Sequence, residues 1–203
     1  MTRTRKSQKR QINPLILIFS SGETEINYFR LKKGDLRGNR NIRIEAVHSN
    51  RKTAVDLVSY AKQNIKAGDY NRNKNDKVFL VMDLDDARDG DIKSAMKKMP
   101  ENMNLIISNP DFEFWFLLHY RYYQDNLACR EPIEKLRQYE RNYDKPDVDN
   151  IYNSLRLKEK DAIKNAERLR KFHETENQCP DLHSVSVNPY TNVDELISFL
   201  NSL

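Results

Sequence analysis

No apolar run in this chain approaches the ~20 residues that a bilayer-spanning helix requires. The basic residues at the start are followed by no apolar stretch of the kind a secretory leader carries, so the expected setting is cytoplasmic, with no membrane contact. Cysteine is scarce: Cys129 and Cys179 stand far apart and form no Cys-x-x-Cys, which argues against a thiolate zinc site and for two free thiols. The four histidines, His48, His119, His173 and His183, lack close metal-ligand spacing. There is no Gly-x-x-x-x-Gly-Lys-Ser/Thr, so any ATP hydrolysis must come from another protein. Neither a linker nor an internal repeat is visible.

What is present fits one core with a small helical addition: 203 residues, 38% of them hydrophobic and 32% charged. The net charge of +5 is unevenly placed. Residues 1–10 hold Arg3, Arg5, Lys6, Lys9 and Arg10 and no acid; without those five, 30 basic residues face 30 acidic ones. Residues 1–12 therefore read as a flexible basic arm, either a phosphate contact or a solubilising tail, ahead of one domain over 13–203.

Short apolar strands alternate with helical periodicity. Strands are expected at Leu15–Phe19, Ile42–Val47, Lys77–Asp83 and Asn104–Ser108. Helices are expected at Thr24–Arg37, Thr53–Ile65, Ile92–Met99 and Phe112–Tyr123, and the polar stretch Ala67–Asp76 reads as a loop. This βαβ order predicts an α/β fold: a mainly parallel sheet of about four strands flanked by helices. From about residue 124 the chain turns helical, with helices at Pro132–Tyr143, Val148–Leu155, Lys158–His173 and Asn192–Leu203, and His183–Val187 as a further strand candidate.

Ligands of open parallel sheets bind beyond the carboxyl ends of the strands. Three strand ends are chemically notable: Ser-Ser-Gly-Glu-Thr-Glu at 20–25, Asp-Leu-Asp-Asp at 83–86 and Ser-Asn-Pro-Asp-Phe-Glu at 108–113. Asp83 and Asp85, two apart on an extended segment, point to one side and suit a hard cation. The plainer alternatives remain beside this. Acids at turns satisfy backbone N–H groups. Ser20 with Glu23 fits a capping box. Glu113 stands on a first helical turn, where it either complements the helix dipole or completes the acidic set. Trp115 and its phenylalanine neighbours read as core, and His119 as either core or site.

The order of these pieces resembles the RloB-like family of bacterial defence proteins. The segments that carry the likeness are Gly22–Phe29, Val78–Asp86, Ser108–Tyr120 and Asn188–Val193, with Ser-Asn-Pro-x-Phe-Glu-x-Trp-x-Leu-Leu-His the most specific. The resemblance implies a Toprim-like fold in which Asp83 and Asp85 bind Mg²⁺ (or Mn²⁺), with Asp86, Asn109, Glu113 and His119 as further candidates. It implies a nuclease acting on DNA or RNA in antiphage defence by abortive infection, under an ATPase partner. The acid/base glutamate of that fold usually stands directly before the glycine, where this chain has Ser21. Either Glu23 or Glu25 takes its place, or the protein binds nucleic acid or nucleotide as a sensor without cleaving. A serine hydroxyl cannot replace a carboxylate as general base at neutral pH.

Overall fold

The structure is a computed structural model and describes residues 15–20, 22–36, 42–46, 53–67, 76–85 and 87–203. The basic arm, Ser21, His48, Asp86 and most of the 67–76 loop lie outside the described residues. The elements run β1 (Ile16–Ser20), α1 (Glu23–Asp35), β2 (Ile42–Ala46), α2 (Ala54–Ala67), β3 (Lys77–Asp83), α3 (Asp89–Lys98), β4 (Met103–Asn109) and α4 (Glu113–Leu118). They continue as α5 (Glu131–Leu136), α6 (Asp149–Thr175), β5 (Tyr190–Thr191) and α7 (Val193–Asn201). The fold is α/β, a mostly parallel sheet with helices on both faces and a helical second half.

The sheet order is β2-β1-β3-β4-β5. The pairs β1–β2, β1–β3 and β3–β4 are parallel, and β5 is antiparallel to β4. The central strands β1, β3 and β4 are apolar along most of their length because both faces are covered. Ile16 and Ile18 face a core shared with α1 and α4–α7, while Leu17 and Phe19 face a second core built with α2 and α3. Strands leave β1 first toward β2 and then toward β3, so the order reverses between β1 and β3. The register sets Ser20 beside Val81 and Asp83 beside Ser108, so three strand ends meet at this reversal. That is where an open α/β sheet opens its crevice.

Several expectations are corrected. The two helices expected at 148–155 and 158–173 are one, α6, of 27 residues. Leu157, 82% exposed, interrupts the apolar pattern, but no glycine or proline lies between 149 and 175 to stop the backbone. Conversely, α4 has six residues and stops at Leu118, short of Tyr123. Asn165 of α6 donates to the Leu118 carbonyl at 2.8 Å, and the tyrosines that follow are drawn to partners on α6 and near α5. Likewise α5 ends at Leu136, short of Tyr143. Residues 183–187 form turns, not a strand. Their polar backbone is met by side chains: Asp89 accepts from Val185 N at 2.8 Å, and the Asn109 amide donates to the carbonyls of Val185 and Val187 at 3.1 and 2.8 Å. The fifth strand instead lies at Tyr190–Thr191.

Candidate functional site

The β1–α1 turn is organised around Glu25. Gly22 is the N-cap of α1 in an extended conformation, φ −89° and ψ 137°. The Glu25 side chain folds back over it so closely that a Cβ at position 22 would stand 2.0 Å from Glu25 Oε2. Ser20 Oγ accepts from Gly22 N at 3.2 Å and donates to Glu25 Oε1 at 3.3 Å. The capping box expected between Ser20 and Glu23 therefore does not form: Ser20 is still in β1, α1 has no side-chain cap, and Glu23 is exposed. Of the two glutamates, Glu25 is the buried one, and its carboxyl responds to Glu113 and Lys145.

The turn after β4 brings two more acids. Glu113 is fully buried at the start of α4 and richly partnered. Tyr143 donates to its Oε1 at 2.8 Å and Thr24 to the same oxygen at 3.4 Å, while the Lys145 ammonium lies 3.2 Å from Oε2. Asp111 is 3% exposed, and its Oδ1 has no hydrogen-bond partner. At the end of β3, Asp83 is half-buried, with its Oδ1 closed off and also without a partner.

Electrostatics binds these groups into one site. Burial first, and then the Glu25, Glu113 and Asp111 carboxylates, push the Asp83 carboxyl well above the usual range. Burial, aided by Glu113, pushes Glu25 up to about 7 against its backbone and Ser20 hydrogen bonds. Burial and Glu113 push Asp111 up to about 7, against Lys145 and the backbone N–H groups of Arg130 and Phe114. Lys145 is the counter-charge. Burial pulls its ammonium down, but Glu113, Asp83 and Glu25 outweigh that and hold it above its ordinary value.

The other candidates fall elsewhere. Asp85 is exposed, beyond the buried Leu84, and Asp86 lies outside the described residues. Asn109 is buried and holds the 185–187 segment. His119 is buried at the far end of α4, its Nδ1 2.9 Å from the Trp115 carbonyl. Burial pushes it down to about 3, so the ring is neutral at pH 7. Trp115 is core, its indole N–H donating to the Tyr28 hydroxyl at 3.1 Å. Residue patterns alone did not single out Asp111, Tyr143 or Lys145. Asp111 sits two residues before Glu113 in the strand-end motif, which was a usable signal. The other two arrive from a turn some thirty residues later and carry none.

Among the described residues, no three Asp, Glu, His or Cys side chains are already gathered into a group that could hold a metal ion. The donor chemistry nonetheless suits a hard divalent cation: oxygen ligands only, two of them buried and unpartnered, in a set whose ionised form lacks sufficient counter-charge.

The geometry at Gly22 yields a test independent of any ligand. Its backbone angles are open to any residue, so Gly22→Ala folds, but the new methyl displaces the Glu25 carboxylate. Glu25 then titrates well below its wild-type value of about 7, toward an ordinary carboxylate, by carboxyl NMR. An unchanged Glu25 titration in the variant would mean that the carboxylate does not rest on Gly22.

No curated protein and no solved structure matches this chain, and no helix among its described residues is long and apolar enough to cross a membrane. The family model described as RloB-like protein matches residues 16–200, from the first residue of β1 to the last turn of α7, and the chain belongs to the RloB-like family.

Proposed function

We propose that this chain is a divalent-metal-dependent phosphodiester hydrolase that cuts DNA or RNA in antiphage defence, controlled by an ATPase partner. The observation that supports it most is the buried, unpartnered Asp111 oxygen in the field of Asp83 and Glu113 at the sheet's reversal point, with Glu25 acting on the same Asp83. A structural role gives no reason to bury so many mutually repelling carboxylates, whereas a cation does. Asp83 and Asp111 would hold Mg²⁺ or Mn²⁺, with Asp85 as the solvent-side member of the Asp83 pair. When bound, such an ion supplies Lewis-acid polarisation of a phosphoryl oxygen and lowers the pKa of water.

The chain's own residues have separable tasks. Glu25, poised near neutrality, is suited to exchange a proton. Glu113 orients Lys145 and Tyr143 and keeps the ammonium at the mouth of the crevice, where the Lys145 side chain is 43% exposed. That ammonium stands beside the acidic set, placed to meet a phosphate oxygen. Ser20 fixes one Glu25 oxygen.

The test is cleavage of labelled single-stranded and duplex DNA and RNA by purified protein in Mg²⁺ or Mn²⁺. Asp83→Ala is expected to lower the rate at least a thousand-fold, and Glu25→Gln about a hundred-fold. Cleavage that persists equally in Asp83→Ala would assign it to a contaminant. A second reading is a sensor that binds without cleaving, favoured by Ser21 at the usual glutamate position and by the absence of a ready-made three-ligand group among the described residues. Metal binding without cleavage of any of these substrates would select it.

A further inference from the structure

At the opposite end of α4 from the acids, the chain emerges as His119-Tyr120-Arg121-Tyr122-Tyr123 and lies against α6. Two clefts, of about 630 and 510 Å³, flank this segment and share Arg121, Tyr122 and Arg168. On the α6 side, Lys164, Arg168 and Lys171 recur at helical spacing and are exposed. Acids are present too. Asp161, Glu167 and Asp125 line the rims, and Glu131 is engaged with Lys135 at 3.0 Å.

The aromatic rings are what distinguish this surface from an ordinary mixed-charge one. Tyr120, Tyr122 and Tyr123 are all partly exposed, and each carries a cation over its ring. Arg168 stands 3.9 Å from the Tyr122 centroid and Lys158 4.0 Å from that of Tyr120, with Arg121 and Lys135 over Tyr123 at 5.6 and 5.7 Å. Cation–π pairing alone stabilises a surface modestly. Here, however, it lines a cleft with flat rings and pre-positioned guanidinium groups, the combination that grips stacked bases and the phosphates between them.

The cleft is also joined to the acidic site. Tyr120 stacks on Tyr139 at 4.8 Å and donates to Glu140, and the same segment continues to Tyr143 and Lys145, which hold Glu113. The six residues of α4 separate the two places by roughly 9 Å of helix axis.

We propose that the cleft formed by Arg121, Tyr122, Lys164, Arg168 and Lys171 is a binding site for a single strand of nucleic acid, which it leads toward the acidic crevice. The proposal rests on the reading of this chain as directed at nucleic acid, but not on metal binding or catalysis. A duplex would offer the rings no bases, so the strand is single; its sugar is left to the experiment.

The experiment is fluorescence anisotropy with 15-nucleotide fluorescein-labelled oligo(dT) and oligo(U), in EDTA, across a salt titration. The wild type is expected to bind a single strand more tightly than a duplex of equal length. Arg121→Ala with Arg168→Ala should weaken binding at least ten-fold, and flatten the slope of log K against log salt by about 1.4, or ~0.7 for each lost phosphate contact. Tyr122→Leu should weaken binding several-fold with little change in slope. Lys93→Ala with Lys97→Ala, exposed on α3 away from the cleft, should change nothing. Should the double variant fold poorly, Arg121→Gln alone, at an exposed position, is expected to lose about three-fold. No single-strand binding by the wild type would overturn the proposal. So would an unchanged double variant, or an abasic strand that binds as tightly as oligo(dT). Because EDTA removes any metal, failure of the metal reading leaves this result standing, and loss of cleavage with binding intact faults the acidic site alone.

Discussion

Asp111→Asn is expected to melt several degrees above the wild type at pH 8 in the absence of divalent ions. Burial holds Asp111 up to about 7 against an ordinary 3.8, so the folded state keeps this proton over a pH range where the unfolded chain has lost it. The sign follows from linkage. Between about pH 4 and 7 the native state binds more protons, so its stability falls as pH rises through that window and levels off above it. A displacement of that size corresponds to at most about 4 kcal/mol, and relaxation reduces it, so about 1–3 kcal/mol is expected. For a chain of this length each kcal/mol moves the Tm by about 2–4 °C.

Other groups titrate in the same range. His119, pushed down to about 3 by burial, destabilises the fold as pH falls below its unfolded value, the opposite trend. Asp194, raised to about 6 by burial despite Arg170, follows Asp111. Both are common to the two proteins and cancel, so the difference between the two Tm curves reports Asp111 together with its charge on Asp83, smaller at pH 5 and full at pH 8. Mn²⁺ should then invert the order. An ion at a hundred times its Kd adds about 2.7 kcal/mol to the protein that binds it, and the variant lacks one ligand. A variant that melts below the wild type at pH 8, with a difference that ignores pH, would show that Asp111 carries no burial strain for a cation to relieve.

The parts of this fold legible in the sequence are those written locally. Leu15–Phe19, Lys77–Asp83 and Asn104–Ser108 are continuous apolar runs because both sheet faces are covered, and their boundaries with acidic turns marked the strand ends that meet in space. Thus the placement of Glu25 near Asp83 follows from two features visible in the chain, crossover helices and strand ends. Whether Glu23 or Glu25 enters the crevice was not legible. It depends on the closeness of the Glu25 carboxylate to Gly22, which is decided by where α1 starts. The helices of the second half were misjudged where tertiary contacts override propensity. Solvent-facing Leu157 interrupted a periodicity that the backbone ignores, and α4 ends early because Asn165 meets the Leu118 carbonyl. Lys145 was invisible because its significance lies wholly in a return of the chain to Glu113, 32 residues distant in sequence.

That return makes Lys145 the most informative single position in the site. Lys145→Met keeps the length of the side chain and removes the cation that faces Glu113, Asp83 and Glu25. Breaking a fully buried ion pair leaves an uncompensated charge at a cost of about 3–5 kcal/mol. Lys145 is 43% exposed, so solvent screens part of its field, and about 1–3 kcal/mol is expected at pH 8. The loss should shrink at pH 5. Without the ammonium the Asp83 and Glu25 carboxyls hold their protons more tightly, and once protonated they no longer need it. Two ways of restoring charge then separate an electrostatic role from simple packing. Lys145→Arg should recover most of the Tm, since a guanidinium can also reach the Glu113 carboxylate. Mn²⁺ should raise the Tm of Lys145→Met more than that of the wild type, because the ion enters a set of carboxylates with no internal cation to compete against. Melts at pH 5 and pH 8, with and without Mn²⁺, measure all of this on four samples of each protein. If Lys145→Met loses the same stability at both pH values and gains no more from Mn²⁺ than the wild type does, the lysine serves only as packing at the mouth of the crevice, and the charge balance of the acidic site has to lie elsewhere.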